Sequence, residues 1–209
     1  VIVDKDTTIT SGDMTIKGML VVNAGVTLTI SADAHLYIEN YAVAQILGNL
    51  VVEAADNDAA DNQGTLSIAS GIVKISGNAD IRGDVDIDSL GTLEILQGSD
   101  VSMSGKIVST GAVSIADSAV LTVSGSSTVS KYVVAGTLQF DSDVVSGSNA
   151  IFMSGNATVE IIGIVLSNAE AAQITITDAG TVEYTGASDK VGTPTAGTAN
   201  TVTVKTVYR

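Results

Sequence analysis

The stretch Gly83–Val123 reads GDVDIDSLGTLEILQGSDVSMSGKIVSTGAVSIADSAVLTV. In its first six residues Val85 and Ile87 alternate with Asp84, Asp86 and Asp88. Two further beats follow, Gly91-Thr-Leu-Glu-Ile95 and Asp100-Val-Ser-Met103, and at Gly105 the three-beat phrase begins again. Strict alternation of apolar and polar residues over four positions is the mark of a half-buried strand, because successive side chains point to opposite faces. Return of the same three beats in the same order is the mark of a repeat.

Working outward, the phrase recurs along the whole chain. Before it stand Val1-Ile-Val3, Thr8-Ile-Thr10 and Met14-Thr-Ile16, then Gly18-Met-Leu-Val-Val22, Val26-Thr-Leu-Thr-Ile30 and His35-Leu-Tyr-Ile38. A third lap is read as Gly48-Asn-Leu-Val-Val52, Gly64-Thr-Leu-Ser-Ile68 and Ile72-Val-Lys-Ile75. After the opening phrase come laps beginning at Lys106 and Tyr132, and two more degenerate ones beginning at Thr158 and Thr181. That makes about eight laps of roughly 17 to 35 residues. The expected fold is all-β, a parallel β-solenoid (β-helix) of about eight coils with three short strands per coil. No lap can bury its apolar face alone, so the laps must stack on a shared core. An antiparallel sandwich also uses short strands, but it has no reason to repeat its phrases in order.

The register makes finer expectations. Leu28, Leu66, Leu93, Val113 and Leu138 are expected to stack inside as one column, and Thr27, Thr65, Thr92 and Thr137 outside as another. A flat double lattice of threonines would suit ice, but Glu94 and Gln139 interrupt the second outward column. The corner glycines Gly64, Gly91, Gly111 and Gly136 are expected to permit bends at positive φ. Ile46-Leu47 is read as a possible helical turn. Residues 1–185 form the solenoid, 186–200 a Gly/Thr-rich connector, and 201–209 a terminal strand that completes either its own last coil or a partner's sheet.

Composition bounds the function. The 209 residues hold 23 Asp and Glu against 9 Lys and Arg, a net charge of −14. Phosphate neutralisation needs clustered cations, so nucleic acid is excluded as a partner. The same sign disfavours anionic membrane surfaces, and no apolar run approaches the ~20 residues that insert across a bilayer. With 21 Gly, 1 Pro and only 3% aromatic residues, the chain suits many short strands packed on aliphatic side chains. Cysteine is absent, which removes disulfides, thiolate metal sites and a Cys nucleophile. The first residue is Val1, not Met. This is read as a processed or excised product, and processing implies export.

Few residues suggest chemistry. Asp56, Asp58 and Asp61 crowd one loop, an oxygen-rich pattern that could hold calcium, though the spacing lacks a bidentate Glu. A solvated loop tip is the plainer reading. Asp84, Asp86 and Asp88 form an outward row that keeps a surface soluble. His35 is the single histidine and cannot build a His-rich metal site. Asp84 with Glu94, and Asp141 with Asp143, are formal carboxylate pairs for glycoside chemistry, but no convergent acid, base and stabiliser can be named, so no enzyme is expected. Asn156-Ala-Thr158 is a glycosylation sequon.

The ends carry the leading expectation. Val1, Ile2 and Val3 form an apolar strand without a polar cap, and solenoid ends left uncapped invite added strands. At the other end Val202, Val204, Lys205, Val207, Tyr208 and Arg209 lie in a strand-like segment. Residues 190–209 hold three bases and no acid, whereas residues 53–100 hold ten acids and two bases. A basic terminal strand can dock on an acidic neighbour.

The repeated Gly-Thr-Leu-x-Ile phrases resemble the β-solenoid passenger and adhesin-type proteins of microbial cell surfaces. The resemblance implies export to the extracellular space or cell surface, a non-catalytic rod and association at the surface; no cofactor is expected beyond the calcium that Asp56, Asp58 and Asp61 could hold. The function expected is a structural subunit of an extracellular filament or surface sheath, its partners being copies of itself joined head to tail. A surface adhesin or glycan-binding module is the alternative, and a carbohydrate-active enzyme the third.

Overall fold

In the computed structural model the described residues are 1–55, 63–141, 149–153, 158–162, 175–177, 181–185 and 195–196, with side chains described up to residue 140. Every strand pairing is parallel. The chain is a parallel β-solenoid whose first six coils have three strands each.

Coil 1 contains β1 (Ile2–Val3), β2 (Thr7–Ile9) and β3 (Gly12–Ile16), and coil 2 contains β4 (Met19–Val22), β5 (Thr27–Ile30) and β6 (Ala34–Ile38). Coil 3 follows with β7 (Val43–Ile46), β8 (Asn49–Val52) and β9 (Thr65–Ile68), and coil 4 with β10 (Ile72–Ile75), β11 (Asn78–Ile81) and β12 (Asp84–Ile87). Coil 5 is β13 (Thr92–Ile95), β14 (Asp100–Met103) and β15 (Ile107–Ser109); coil 6 is β16 (Ala112–Ile115), β17 (Val120–Val123) and the first half of β18 (Ser127–Val134). Beyond lie β19 (Thr137–Asp141), β20 (Asn149–Met153), β21 (Thr158–Ile162), β22 (Thr175–Thr177), β23 (Thr181–Thr185) and β24 (Thr195–Ala196).

First strands of successive coils stack as wall A, second strands as wall B and third strands as wall C. Alternate residues point in and are buried, as the period of two requires. Wall A lines the interior with Val22, Ile46, Ile75, Ile95 and Ile115, wall B with Leu28, Leu50, Ala79, Val101 and Leu121, and wall C with Leu36, Leu66, Val85 and Ile107. Aliphatic stacking on three sides makes one continuous core.

The structure corrects the expected coil phase. There are about six three-stranded coils, not eight, because beyond β18 the described strands alternate between two sheets and form no third wall; the phase slipped because β7 and β11 went unread. Both carry alanine at an inward position, Ala44 and Ala79. A methyl group fills the interior there but writes only a faint apolar beat into the sequence. Ile46 ends strand β7 and forms no helical turn. The slip also redistributes the columns: Leu28 and Leu138 belong to wall B, Leu66 to wall C, and Leu93 and Val113 to wall A. All five point inward as expected. The threonines scatter likewise, with Thr27 and Thr137 on wall B, Thr65 on wall C and Thr92 on wall A. No threonine column forms from them.

The corner glycines serve a different purpose from the one expected. Positive φ occurs at Gly12, Gly25 and Gly98, not at Gly64, Gly91, Gly111 or Gly136. Instead the backbone of one coil presses on the next. A side-chain carbon on Gly105 would land on the Gly83 carbonyl oxygen, and one on Gly125 would land on that of Gly105. Close approach is what excludes side chains at these corners.

At β18 the cross-section changes. The strand runs on from wall C into wall A, joining both into one 15-stranded sheet beside the 9-stranded sheet of wall B. The three corners just before it between these walls contain Gly71, Gly91 and Gly111, whereas this one reads Ser130-Lys131; the β6–β7 corner, Glu39 to Ala42, also turns without glycine. A register shift between Val129 and Tyr132 marks the bend. Tyr132 is buried, its hydroxyl 2.9 Å from Ser127 Oγ and its ring edge-on to Phe140 at 5.9 Å. Five residues of straight strand span about 17 Å, so the Ser127–Tyr132 contact requires β18 to fold inward. Burial, opposed by the Ser127 hydrogen bond, raises the Tyr132 hydroxyl well above its ordinary pKa. After β18 the described strands alternate between the two sheets, and β24 pairs with β22 inside the segment read as a connector.

Candidate functional site

With the interior filled by aliphatic side chains, chemistry is confined to the outer walls and corners. Each wall presents two outward residues per strand, and the three walls differ.

Wall B is polar. Thr27, Asn49, Asn78 and Asp100 stack in one outward column, and Val51, Asp80 and Ser102 in the next. These residues bound a shallow hollow of about 440 Å³. Asn49 Nδ2 donates to Thr27 Oγ1 at 3.5 Å, and Asp80 pairs with the Arg82 guanidinium at 3.3 Å.

Wall C holds the aromatic and acidic groups. His35 and Tyr37 project outward from β6 and stack with ring centroids 5.9 Å apart at 13°. The Tyr37 hydroxyl lies 3.4 Å from His35 Nδ1. Tyr37, Ser67, Asp86, Asp88, Val108 and Thr110 line a second hollow of about 410 Å³. Partial desolvation there, then the Asp84 carboxylate, raises the Asp86 carboxyl above its ordinary pKa, with Lys106 opposing and Asp88 adding to the rise.

Wall A is apolar. Met19, Val43, Ile72, Thr92 and Ala112 form one outward column. Ile2, Val21, Gln45, Lys74, Glu94 and Ser114 form the other. Two of its charges neutralise each other, since Lys74 Nζ lies 3.0 Å from Glu94 Oε2.

The expected site residues fall unevenly onto this frame. Val1 and Ile2 are exposed on coil 1, while Val3 joins the core. In a parallel ladder alternate residues pair with one neighbour. Val1 and Val3 carbonyls accept from Val21 and Asn23, which turns the Ile2 N–H and C=O toward the opposite edge. No strand among the described residues pairs with that edge. Asp84 and Glu94 stand on different walls, C and A, so they cannot act on one bond as a pair. Asp56, Asp58, Asp61, Asn156, Val202, Val204, Lys205, Val207, Tyr208 and Arg209 lie outside the described residues, and the side chains of Asp141 and Asp143 do too. The loop carrying the three aspartates leaves and rejoins the coil at one point: Gly64 N–H donates to Glu53 O at 2.9 Å and Ala55 N–H to Gln63 Oε1 at 3.1 Å. Among the described residues no three His, Cys, Asp or Glu side chains converge as metal ligands. No helix among them is long and apolar enough to cross a membrane.

The fold thus defines the class, a parallel β-solenoid with one apolar and two polar outer walls. No protein-family model, curated protein or solved structure matches the chain.

Proposed function

We propose that the chain is a non-catalytic structural subunit of an extracellular filament or cell-surface sheath that joins copies head to tail. The observation that carries this reading is the open ladder of coil 1. Ile2 is 70% exposed, and among the described residues nothing pairs with the outer edges of β1, β2 and β3. Such an edge accepts another parallel strand at the same spacing that joins the coils. Because the solenoid narrows from three walls to two sheets at β18, a bare end cannot continue coil 1 on all three sides. In this reading residues 201–209, strand-like in sequence, supply the missing edge from the neighbouring copy. Contacts of this head-to-tail kind do not close, and they generate fibres.

Electron microscopy of concentrated protein tests the reading. Fibres are expected from the whole chain, with their loss on deleting Thr201–Arg209. Strictly monomeric protein at high concentration, indifferent to that deletion, removes the proposal.

The Tyr37 hollow favours one second reading, a glycan-binding module. A half-buried stacked ring beside Asp86, Asp88 and Thr110 is a surface on which a sugar can lie, with carboxylates accepting from its hydroxyls. Saturable binding on a glycan array that is lost in Tyr37→Ala would support this reading over the first.

A further inference from the structure

Six large apolar side chains are exposed among the described residues: Val1, Ile2, Met19, Tyr41, Leu47 and Leu90. All six lie on wall A strands or within two residues of their ends. Ile2 and Met19 (54% exposed) stand on β1 and β4; Tyr41 (93%) and Leu47 flank β7; Leu90 (74%) precedes β13. Between them run the half-buried Val21, Val43 and Ile72. Tyr41 also holds a left-handed backbone, φ 61°, which costs a non-glycine residue on the order of 1 kcal/mol. Scattered apolar residues on a surface need no explanation, but a contiguous patch marks an interaction site.

We propose that wall A is a lateral docking surface for a second copy of this chain, packed face to face about a two-fold axis. Charge selects the occupant. In a chain of net charge −14, outward carboxylates occupy wall B (Asp80, Asp100) and wall C (Asp13, Asp84, Asp86). On wall A, Lys74 and Glu94 balance each other on the central strands β10 and β13, and Lys131, next in the outward column after Ala112, adds one positive charge at the β18 end, so two copies meet there without the carboxylate repulsion of walls B and C. Wall A is also self-complementary. An axis parallel to the strands, midway between β10 and β13, exchanges coil 4 with coil 5 and coil 3 with coil 6. Each residue keeps its column, so Lys74 faces Glu94 of the second copy and Glu94 faces Lys74 of the second copy. The operation also sets Val43 over Ala112, Ile72 over Thr92 and Val21 over Val133. This is the reciprocal pattern of an isologous contact, with sheets about 10 Å apart.

Area sets the strength. Four-residue strands span about 13 Å and six coils about 29 Å, so each copy offers on the order of 400 Å². A standard stable interface takes roughly 800 Å² from each partner. Lateral pairing is therefore weak for isolated chains, with a dissociation constant between about 1 μM and 1 mM. Coils aligned in an array would multiply it. The contact is independent of the head-to-tail joint, since it uses a wall and not an end.

Charge reversal with a mixing arm tests it, read by sedimentation velocity from 10 μM to 1 mM (about the range of the expected constant). Wild type is expected to move toward twice its monomer mass, with or without Thr201–Arg209. Lys74→Glu alone and Glu94→Lys alone are each expected to weaken association by about tenfold or more, because each homodimer then opposes four like charges. An equal mixture of the two variants is expected to recover wild-type association, since every charge again faces its opposite. Recovery on mixing also shows that both variants are folded. A wild type that stays monomeric at 1 mM overturns the proposal. So do variants that associate unchanged, a mixture that fails to recover, or wild-type monomer that instead binds neutral lipid vesicles.

Discussion

The first six coils and the region around β18 are built from the same backbone ladder but filled differently. In coils 2 to 5 the interior is lined by Leu, Ile, Val, Ala and Met, with the inward Ser109 an exception in coil 5, and glycines such as Gly83 and Gly105 let one coil rest on the next. At β18 an aromatic pair, Tyr132 and Phe140, takes the centre, and the corner between walls C and A has no glycine. The strand then runs through the corner and three walls become two sheets. The cross-section of this solenoid thus changes where an aromatic pair fills the middle; a corner without glycine does not suffice, since Glu39 to Ala42 turns between the same two walls at β6 and β7.

The strongest way to break that contrast is Tyr132→Ala. It empties the centre of the transition and leaves Ser127 Oγ without its 2.9 Å partner. A loss of about 3 to 5 kcal/mol is expected in denaturant unfolding, and hydrogen exchange should report it first in β18 and β19. Next comes Gly105→Ala, which forces the coil stack apart at Gly83. The cost expected is about 1 to 3 kcal/mol, with exchange protection lost in coils 4 and 5 and β18 spared. A melting temperature equal to wild type would show that the corners are looser than the structure makes them.

A third substitution sharpens the contrast in the opposite direction. Ser109 stands in an inward column between Ile87 and Val129, and its Oγ is buried with no hydrogen-bond partner among the described residues. Ser109→Ala is expected to stabilise the chain by about 1 kcal/mol, visible as a higher unfolding midpoint. The smallest effect belongs to the outer surface. Because the folded chain holds the Asp86 proton more tightly than the unfolded chain does, Asp86 favours the fold at low pH. That contribution is lost as pH rises through the raised folded value. Asp86→Asn should therefore be slightly more stable than wild type at neutral pH, by under about 0.5 kcal/mol once solvent screening is counted. The difference should vanish below the ordinary carboxylate range, and unfolding curves at three pH values would read it.

Much of the fold was legible in the chain because stacking physics repeats itself in sequence. Val85 and Ile87 inward, Asp84 and Asp86 outward, is a pattern any single lap displays. The missed strands β7 and β11 show where that legibility ends: alanine at Ala44 and Ala79 fills an inward position without a strong apolar signal. Missing them slipped the phase, so residues correctly read as inward were placed in the wrong columns. The β18 transition had a faint trace in the sequence, the absent glycine at Ser130-Lys131, which only becomes a signal once Gly71, Gly91 and Gly111 are known to share that corner.

The candidate surfaces were less legible. Met19, Val43, Ile72 and Ala112 are separated by 20 or more residues in the chain, yet they stand in one outward column. Lys74 and Glu94 become a pair only because the lap between them is 20 residues long and in register. Alternation along a strand is a property of neighbours, so the sequence by itself determined which side chains turn inward and that the coils are parallel and stacked. Which wall each strand joins depends on the length of every preceding corner, so it took the folded coils to show that one outer wall is largely apolar while the other two are acidic and polar.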